Sequence, residues 1–246
     1  LAPIETLTPV DSGARDWGWR LSHWFLGRAA MGRGSETDLS PPIVFNQLGE
    51  GLYQIAGSSH HSLLVVGETA LAVVDAPFYP ARSRQVLKAL GERWPDKPVR
   101  RLVLTHHHLD HSGGLLPYIE AGAELVIPQG NAAFYRMVLE RGANVEAFDL
   151  RTVARRAQLP GLGRTVELLR VPNPHSDAML VSYLPAARLL FVTDLFSPGR
   201  PTEAQNTRSS KALFHAIKYY DLDVDRIVGG HGAPSAPLEK LEDAAR

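Results

Sequence analysis

The chain has 246 residues, 44% of them hydrophobic and 21% charged, with Lys+Arg and Asp+Glu both at 26. That size can bury a full core as one large domain or one domain plus an arm, and the balanced charge leaves no electrostatic footprint for nucleic acid. Cysteine is absent, which excludes disulfides and thiolate ligands, and no apolar run reaches the roughly 18 residues of a membrane-spanning helix.

Residues 1–42 carry little strand signal and read as an N-terminal arm. Trp17, Leu21, Trp24, Phe25 and Ala29 fall on one face of a short helix, which is expected to pack on the main domain. The tryptophans also suit a membrane surface or a contact between two copies, which makes the arm the expected route to a homo-oligomer. Gly32-Arg33-Gly34-Ser35 and Ser40-Pro41-Pro42 then form a linker into a catalytic domain at 43–246. The chain opens on Leu1 without a charged segment followed by an apolar one, so an export signal is expected to lie upstream and to be removed.

From residue 43 the pattern is strand-rich, then alternating. Ile43 to Phe45, Leu52 to Ala56, Ser62 to Val66 and Leu71 to Val74 read as four strands of an antiparallel or mixed sheet. Arg82 to Trp94 reads as a helix with Val86, Leu87 and Leu90 on one side, ended by Pro95. A strand over 99–104 leads into a ligand-bearing loop, and Ser112-Gly113-Gly114-Leu115 is expected to open a helix with its N-terminus toward that loop. Ala123 to Ile127 is a strand and Asn131 to Glu140 a helix. The second half continues with strands near 165–171, 178–184 and 188–193, a helix near 207–220, a strand at 226–228 and a terminal helix from Pro237.

The chemistry is concentrated in Thr105-His106-His107-His108-Leu109-Asp110-His111, which packs four metal-capable residues, His106, His108, Asp110 and His111, into a His-x-His-x-Asp-His pattern after an apolar strand. Imidazole suits zinc and its neighbours in the first transition row, and a carboxylate adds negative charge. Three further candidates stand where apolar runs stop: His175 after Val171, Asp194 after Phe191-Val192-Thr193, and His231 after Ile227-Val228-Gly229-Gly230. Strand ends fix positions while loops let ligands converge, as a preorganised site requires. Five neutral imidazoles and two carboxylates give a set of net charge about −2 against +4 from two divalent ions, an excess that favours bound hydroxide. Two ions at roughly 3.5–4 Å bring the pKa of a shared water toward neutrality.

In this combination and order the chain resembles the metallo-β-lactamase-fold hydrolase superfamily over roughly residues 43–246. The resemblance implies an α/β, four-layer αββα sandwich with metals at one edge. It implies one metal on His106, His108 and His175, a second on Asp110, His111 and His231, and Asp194 bridging the two. Asp75, ending Leu71-Ala72-Val73-Val74, matches the family's buried acidic residue behind the ligands; a turn cap before Pro77 is its plainer reading. Two Zn2+ are the expected cofactors, with Fe or Mn as other divalent ions, and Asp110 and Asp194 are the catalytic carboxylates. The implied reaction is hydrolysis, by a bridging hydroxide, of an ester, lactone, thioester or amide bond of a small molecule.

Asp194 stands where dedicated β-lactamases of the superfamily carry Cys or Ser, which argues against that activity except as a promiscuous one. Only Gly232 to Arg246 follow His231, short for the glutathione-binding region of glyoxalase II enzymes, and Ser197 replaces a Tyr often found in acyl-homoserine lactonases. His175-Ser176-Asp177-Ala178-Met179 and Tyr183-Leu184-Pro185 look more like bacterial superfamily hydrolases that are exported, which implies a periplasmic or secreted location, with the cytoplasm as the alternative. A mononuclear iron dioxygenase of persulfides shares the fold, and a non-catalytic binding module is the third reading. His107, between ligands, is expected to point away to solvent or to back the ligands. His60 and His61, Phe78 and Tyr79 after Asp75, and Phe196 after Asp194 are candidates to line the substrate pocket. His23 and His215 read as surface or packing residues.

Overall fold

The computed structural model describes residues 42–57, 59–142 and 147–246; the N-terminal arm with its tryptophans and His23 lies outside them. Among the described residues, no helix is long and apolar enough to cross a membrane.

The first half builds a seven-stranded sheet in the order β1-β2-β3-β4-β5-β6-β7. Strands β1 (Val44–Gly49), β2 (Leu52–Ala56), β3 (Ser62–Val66) and β4 (Leu71–Val74) form an antiparallel meander. Strands β5 (Val99–Val103), β6 (Glu124–Pro128) and β7 (Leu150–Val153) extend it in parallel. Between them run α1 (Pro80–Arg93), α2 (Leu109–Ser112), α3 (Leu116–Glu120) and α4 (Ala132–Met137), the last continuing into a π-turn at Val138–Gly142. The second half forms a six-stranded sheet in the order β13-β12-β11-β10-β9-β8. Its strands are β8 (Arg156–Gln158), β9 (Glu167–Arg170), β10 (Leu180–Leu184), β11 (Leu189–Val192), β12 (Arg226–Gly229) and β13 (Ser235–Pro237), with helices α5 (Thr207–Tyr219) and α6 (Leu238–Ala244).

Side-chain alternation divides the apolar residues among three cores. Leu63, Val65, Ala72, Val74, Val103 and Val126 point from the first sheet toward Leu168, Leu180, Leu189, Phe191 and Val228 of the second. Leu64, Leu71, Val73, Leu102 and Leu125 face the other way, onto Val86 and Leu90 of α1, Tyr118 of α3 and Tyr135 of α4. Leu169, Val181, Leu190 and Ile227 on the outer face of the second sheet pack against Leu213, Ile217 and Leu241 of α5 and α6. Three cores separate four layers, αββα, as the resemblance implies. Central strands such as Leu71–Val74 are buried along their whole length, which is why they read as unbroken apolar runs rather than as alternation.

The stretch after β5 differs from expectation. Helix α2 begins at Leu109, with His108 as its N-cap, and ends at Ser112. Gly113 and Gly114 separate it from α3 instead of opening a helix. A Cβ at Gly113 would lie 2.0 Å from the Phe78 carbonyl oxygen, so only glycine lets this backbone pass the 76–79 loop. Asp110 and His111 thus sit on a helical turn, while His106 and His108 precede it.

Candidate metal centre

The candidate residues converge where the two sheets meet at one edge. His106, His108 and His175 bring one ring nitrogen each to within 4.8 Å of one another; Asp110, through a carboxylate oxygen, His111, His231 and His60 form a second such group, and His106, His111 and Asp194 a third that joins the other two. His175 Nε2 stands 2.9 Å from His108 Nδ1, and His231 Nε2 stands 3.1 Å from His111 Nε2. Asp194 lies between the sets: Oδ1 is 2.9 Å from His231 Nε2, and Oδ2 is 3.0, 3.3 and 3.5 Å from Nε2 of His111, His106 and His175.

Hydrogen bonds behind the cluster fix which ring atoms face inward. Asp75 is fully buried and accepts from Thr105 N at 2.8 Å, Thr105 Oγ1 at 2.9 Å and His111 Nδ1 at 3.0 Å. That leaves His111 Nε2 to face Asp194 and His231. Because the Thr105 hydroxyl donates its proton to Asp75, it accepts from His106 Nδ1 at 3.1 Å, and His106 Nε2 becomes a bare lone pair. This atom is buried without a hydrogen-bond partner, 3.3 Å from the Asp194 carboxylate. Two acceptors facing each other in a buried site call for a cation between them. The donor set therefore fits divalent metal ions.

Burial lowers His106 well below the usual histidine range and also lowers His175, which keeps both rings neutral and able to ligate. At His111 burial acts in the same direction, but the Asp194 and Asp75 carboxylates outweigh it and raise the group to about 10. Burial would raise Asp110, yet His60 and His111 hold its carboxyl well below the ordinary value. The same balance, with His111 and His231 as the opposing partners, holds Asp194 low.

Backbone strain marks the same spot. Asp75, Phe78 and Asp194 adopt left-handed conformations with φ of 67°, 62° and 57°, which cost a non-glycine residue about 1–2 kcal/mol each. Asn173 caps the 173–176 turn, its side-chain oxygen accepting from His175 N at 2.8 Å and Ser176 N at 2.9 Å.

The remaining candidates separate. His60 reaches Asp110 Oδ2 at 3.2 Å through Nε2, contacts Ser59 Oγ at 3.0 Å through Nδ1, and pairs by backbone bridge with His231. Its ring packs against Phe78 and His231 at centroid distances of 4.3 and 4.1 Å. Phe78 is half-buried beside this cluster, whereas Tyr79 is exposed and stacks on Phe78. His61 turns aside and donates to the Gly232 carbonyl at 3.1 Å, with burial lowering its pKa. Phe196, only 3% exposed, belongs to the outer core of the second sheet; it closes that core and does not rim the cluster. His107 points away from the ligands but is buried, against Phe134 and His108, and does not reach solvent.

Thr105, Thr193 and Tyr135 were not singled out in the sequence. Thr193 Oγ1 lies 3.1 Å from Thr105 Oγ1, and Tyr135 donates to the His106 carbonyl at 3.0 Å. Both threonines are buried and immediately precede a candidate ligand, just past the end of a strand, and that is the signal that could have found them.

Residues 55–231 match the family model described as the metallo-beta-lactamase superfamily. The chain is 25% identical over 149 residues to 2,4-dinitroanisole O-demethylase subunit alpha of Nocardioides sp. (strain JS1661), covering 60% of this chain and 44% of that one. It is 31% identical over 130 residues to hydroxyacylglutathione hydrolase of Nostoc punctiforme, covering 51% and 42%. The chain thus spans less than half the length of either relative. Among solved structures, the metallo beta lactamase from Hirschia baltica superposes with a TM-score of 0.65 at 22% identity, over 83% of this chain and 96% of that one, a likeness of fold.

Proposed function

The chain belongs to the metallo-beta-lactamase superfamily, and from that premise we propose that it is a hydrolase that binds two divalent cations and cleaves an ester, lactone, thioester or amide bond of a small molecule. In this reading His106, His108 and His175 hold one ion, Asp110, His111 and His231 hold the other, and Asp194 spans both. The observation that carries it is the bare His106 Nε2 opposite the Asp194 carboxylate at 3.3 Å, at the centre of the histidine cluster. Nitrogen and oxygen donors without sulfur suit zinc, with iron and manganese as other ions such a set takes. The ions supply Lewis acidity, which makes water a competent nucleophile near neutral pH and polarises the bond to be cut.

The residues around them set the geometry. Asp75 orients His111, Thr105 orients His106, and the Asn173 turn presents His175. His60 steadies Asp110 through one carboxylate oxygen, and Phe78 covers His60 on its outer side. Asp110, with its side chain 39% exposed against 15% for Asp194, is the carboxylate open to an incoming substrate. Held below the usual carboxyl range by His60 and His111, it stays ionised and able to ligate. Asp194 at the spanning position sets this reading apart from a dedicated β-lactamase. The relatives' names, an O-demethylase subunit and a hydroxyacylglutathione hydrolase, support a scaffold that serves more than one type of bond.

A hydrolysis panel of lactones, thioesters, aryl esters, phosphodiesters and β-lactams, run with and without chelator, tests the proposal. Turnover of at least one carbonyl substrate is expected, lost with chelator and in His108→Ala or Asp110→Ala. Unchanged turnover in those variants, or one iron per chain with oxygen consumption on persulfide, would overturn it.

A further inference from the structure

A second pocket, apart from the metal centre, lies between α5 and the β8–β9 edge of the second sheet. It measures about 720 Å³, a size typical of small-molecule sites. One stripe of α5 forms a wall: Arg208, Lys211, Ala212, His215, Ala216 and Tyr219, at the three- and four-residue spacing of a single helix face. Opposite stand Arg155 and Arg170.

Charge is what singles this pocket out. Among the described residues, three arginines and a lysine line it and no carboxylate does, in a chain whose formal net charge is zero. Of the carboxylates near these residues in sequence, Glu167 pairs with Arg156 at 2.7 Å and Asp223 and Asp225 pair with Arg188 at 2.6 and 2.9 Å, while Arg170 also donates to the Asp177 carbonyl at 3.3 Å. Four like charges around one cavity repel each other, and an anion relieves that repulsion. The floor is apolar and preorganised. Tyr220 donates to the carbonyls of Arg155 at 3.1 Å and Arg170 at 2.8 Å, which pins the end of α5 to the strand edge. Arg155 lies over the ring of Tyr219, 5.0 Å from its centroid, and that ring is 64% exposed. Room exists because positions 212 and 216, facing the cavity from the helix, are alanines.

We infer that this pocket is a binding site for a small organic anion, an oxyanion group carried on a flat apolar body. The guanidinium groups and Lys211 take the oxyanion, for which the arginine fork is suited, and the flat body lies along Ala212, Ala216 and the Tyr219 ring. The site requires no metal and stands whether or not the proposed hydrolysis does.

The test is titration calorimetry of the metal-loaded protein with 1-naphthyl phosphate and 1-naphthoate, with 1-naphthol and inorganic phosphate as the two halves of the ligand. Both naphthyl anions should bind at least tenfold more tightly than naphthol or phosphate alone. Affinity should fall at least tenfold in the Arg208→Ala/Lys211→Ala double variant and in Ala212→Phe, which fills the pocket without changing charge, while melting temperature and the circular dichroism spectrum are unchanged. Anions that bind both variants as well as the parent, or naphthol that binds as tightly as the anions, would overturn the inference. Absence of binding at millimolar concentration would do the same.

Discussion

At the scale of single residues, the candidate metal centre depends on which ring nitrogen each histidine turns inward. Asp75 decides this for His111 by accepting from Nδ1. Asp75→Asn keeps the size but removes the charge, and groups in this position typically contribute roughly 10–100-fold in metal affinity. Competition titration with a chromophoric chelator should show that loss at the second ion, with the fold unchanged by circular dichroism; parental affinity would contradict it. The same pair sets a pH dependence in the chelator-treated protein. Burial would lower His111, but the Asp194 and Asp75 carboxylates raise it from 6.5 to about 10. The resulting stabilisation is complete below pH 6.5 and disappears as the pH rises through about 10. Melting temperature should therefore fall across that window, and fall less in Asp75→Asn; equal slopes would contradict the assignment. His60 acts on the opposite side, through Asp110. His60→Ala should weaken the second ion and spare the first, and His60→Gln, which retains a donor, should restore part of the loss. The metal-capable residues were legible because four His/Asp clusters fall at strand ends in one order, although any one of them alone would read as a turn residue. Thr105 was not, since a threonine ending a strand is ordinary, and its role emerges only from a hydroxyl that donates to Asp75 and accepts from His106, beside Thr193.

Among elements, the long apolar strands and amphipathic helices could be read directly, because strands buried on both faces have no solvent pattern to confuse. Strands β7, β8 and β13 escaped. Leu-Arg-Thr-Val and Arg-Ala-Gln carry too few apolar residues, and their pairing is supplied by β6 and β9. Helix α2 was hidden for another reason: its four residues include two candidate ligands, so Leu109–Ser112 read as a loop. Phe196 could not be assigned from its position after Asp194, because the left-handed turn at Asp194 sends the following residues into the core. The close approach at Gly113 gives this scale its own test. A methyl group there meets the Phe78 carbonyl at 2.0 Å, so Gly113→Ala must displace the 76–79 loop at a cost of about 1–3 kcal/mol. Chemical denaturation should show that loss, accompanied by weaker metal binding through Asp75; a variant as stable as the parent would mean that the loop moves freely.

For the whole molecule, the two sheets meet at their ligand-bearing ends, with His106, His108, Asp110 and His111 following β5 of the first and His175, Asp194 and His231 supplied by the second. In the proposed reading, ions bound across that junction tie the halves together. Ligand binding restricted to the folded state stabilises it by about 2.7 kcal/mol at a hundredfold excess over the dissociation constant. Adding zinc to chelated protein should thus raise the melting temperature in a concentration-dependent way, and much less in His108→Ala. The most direct test of the central claim is metal content per folded chain, by elemental analysis after equilibration with zinc. The account predicts about two zinc ions for the parent chain and a clear deficit for the His106→Ala/Asp194→Ala double variant. A parent chain that retains none, or a double variant that retains as many as the parent, would contradict it.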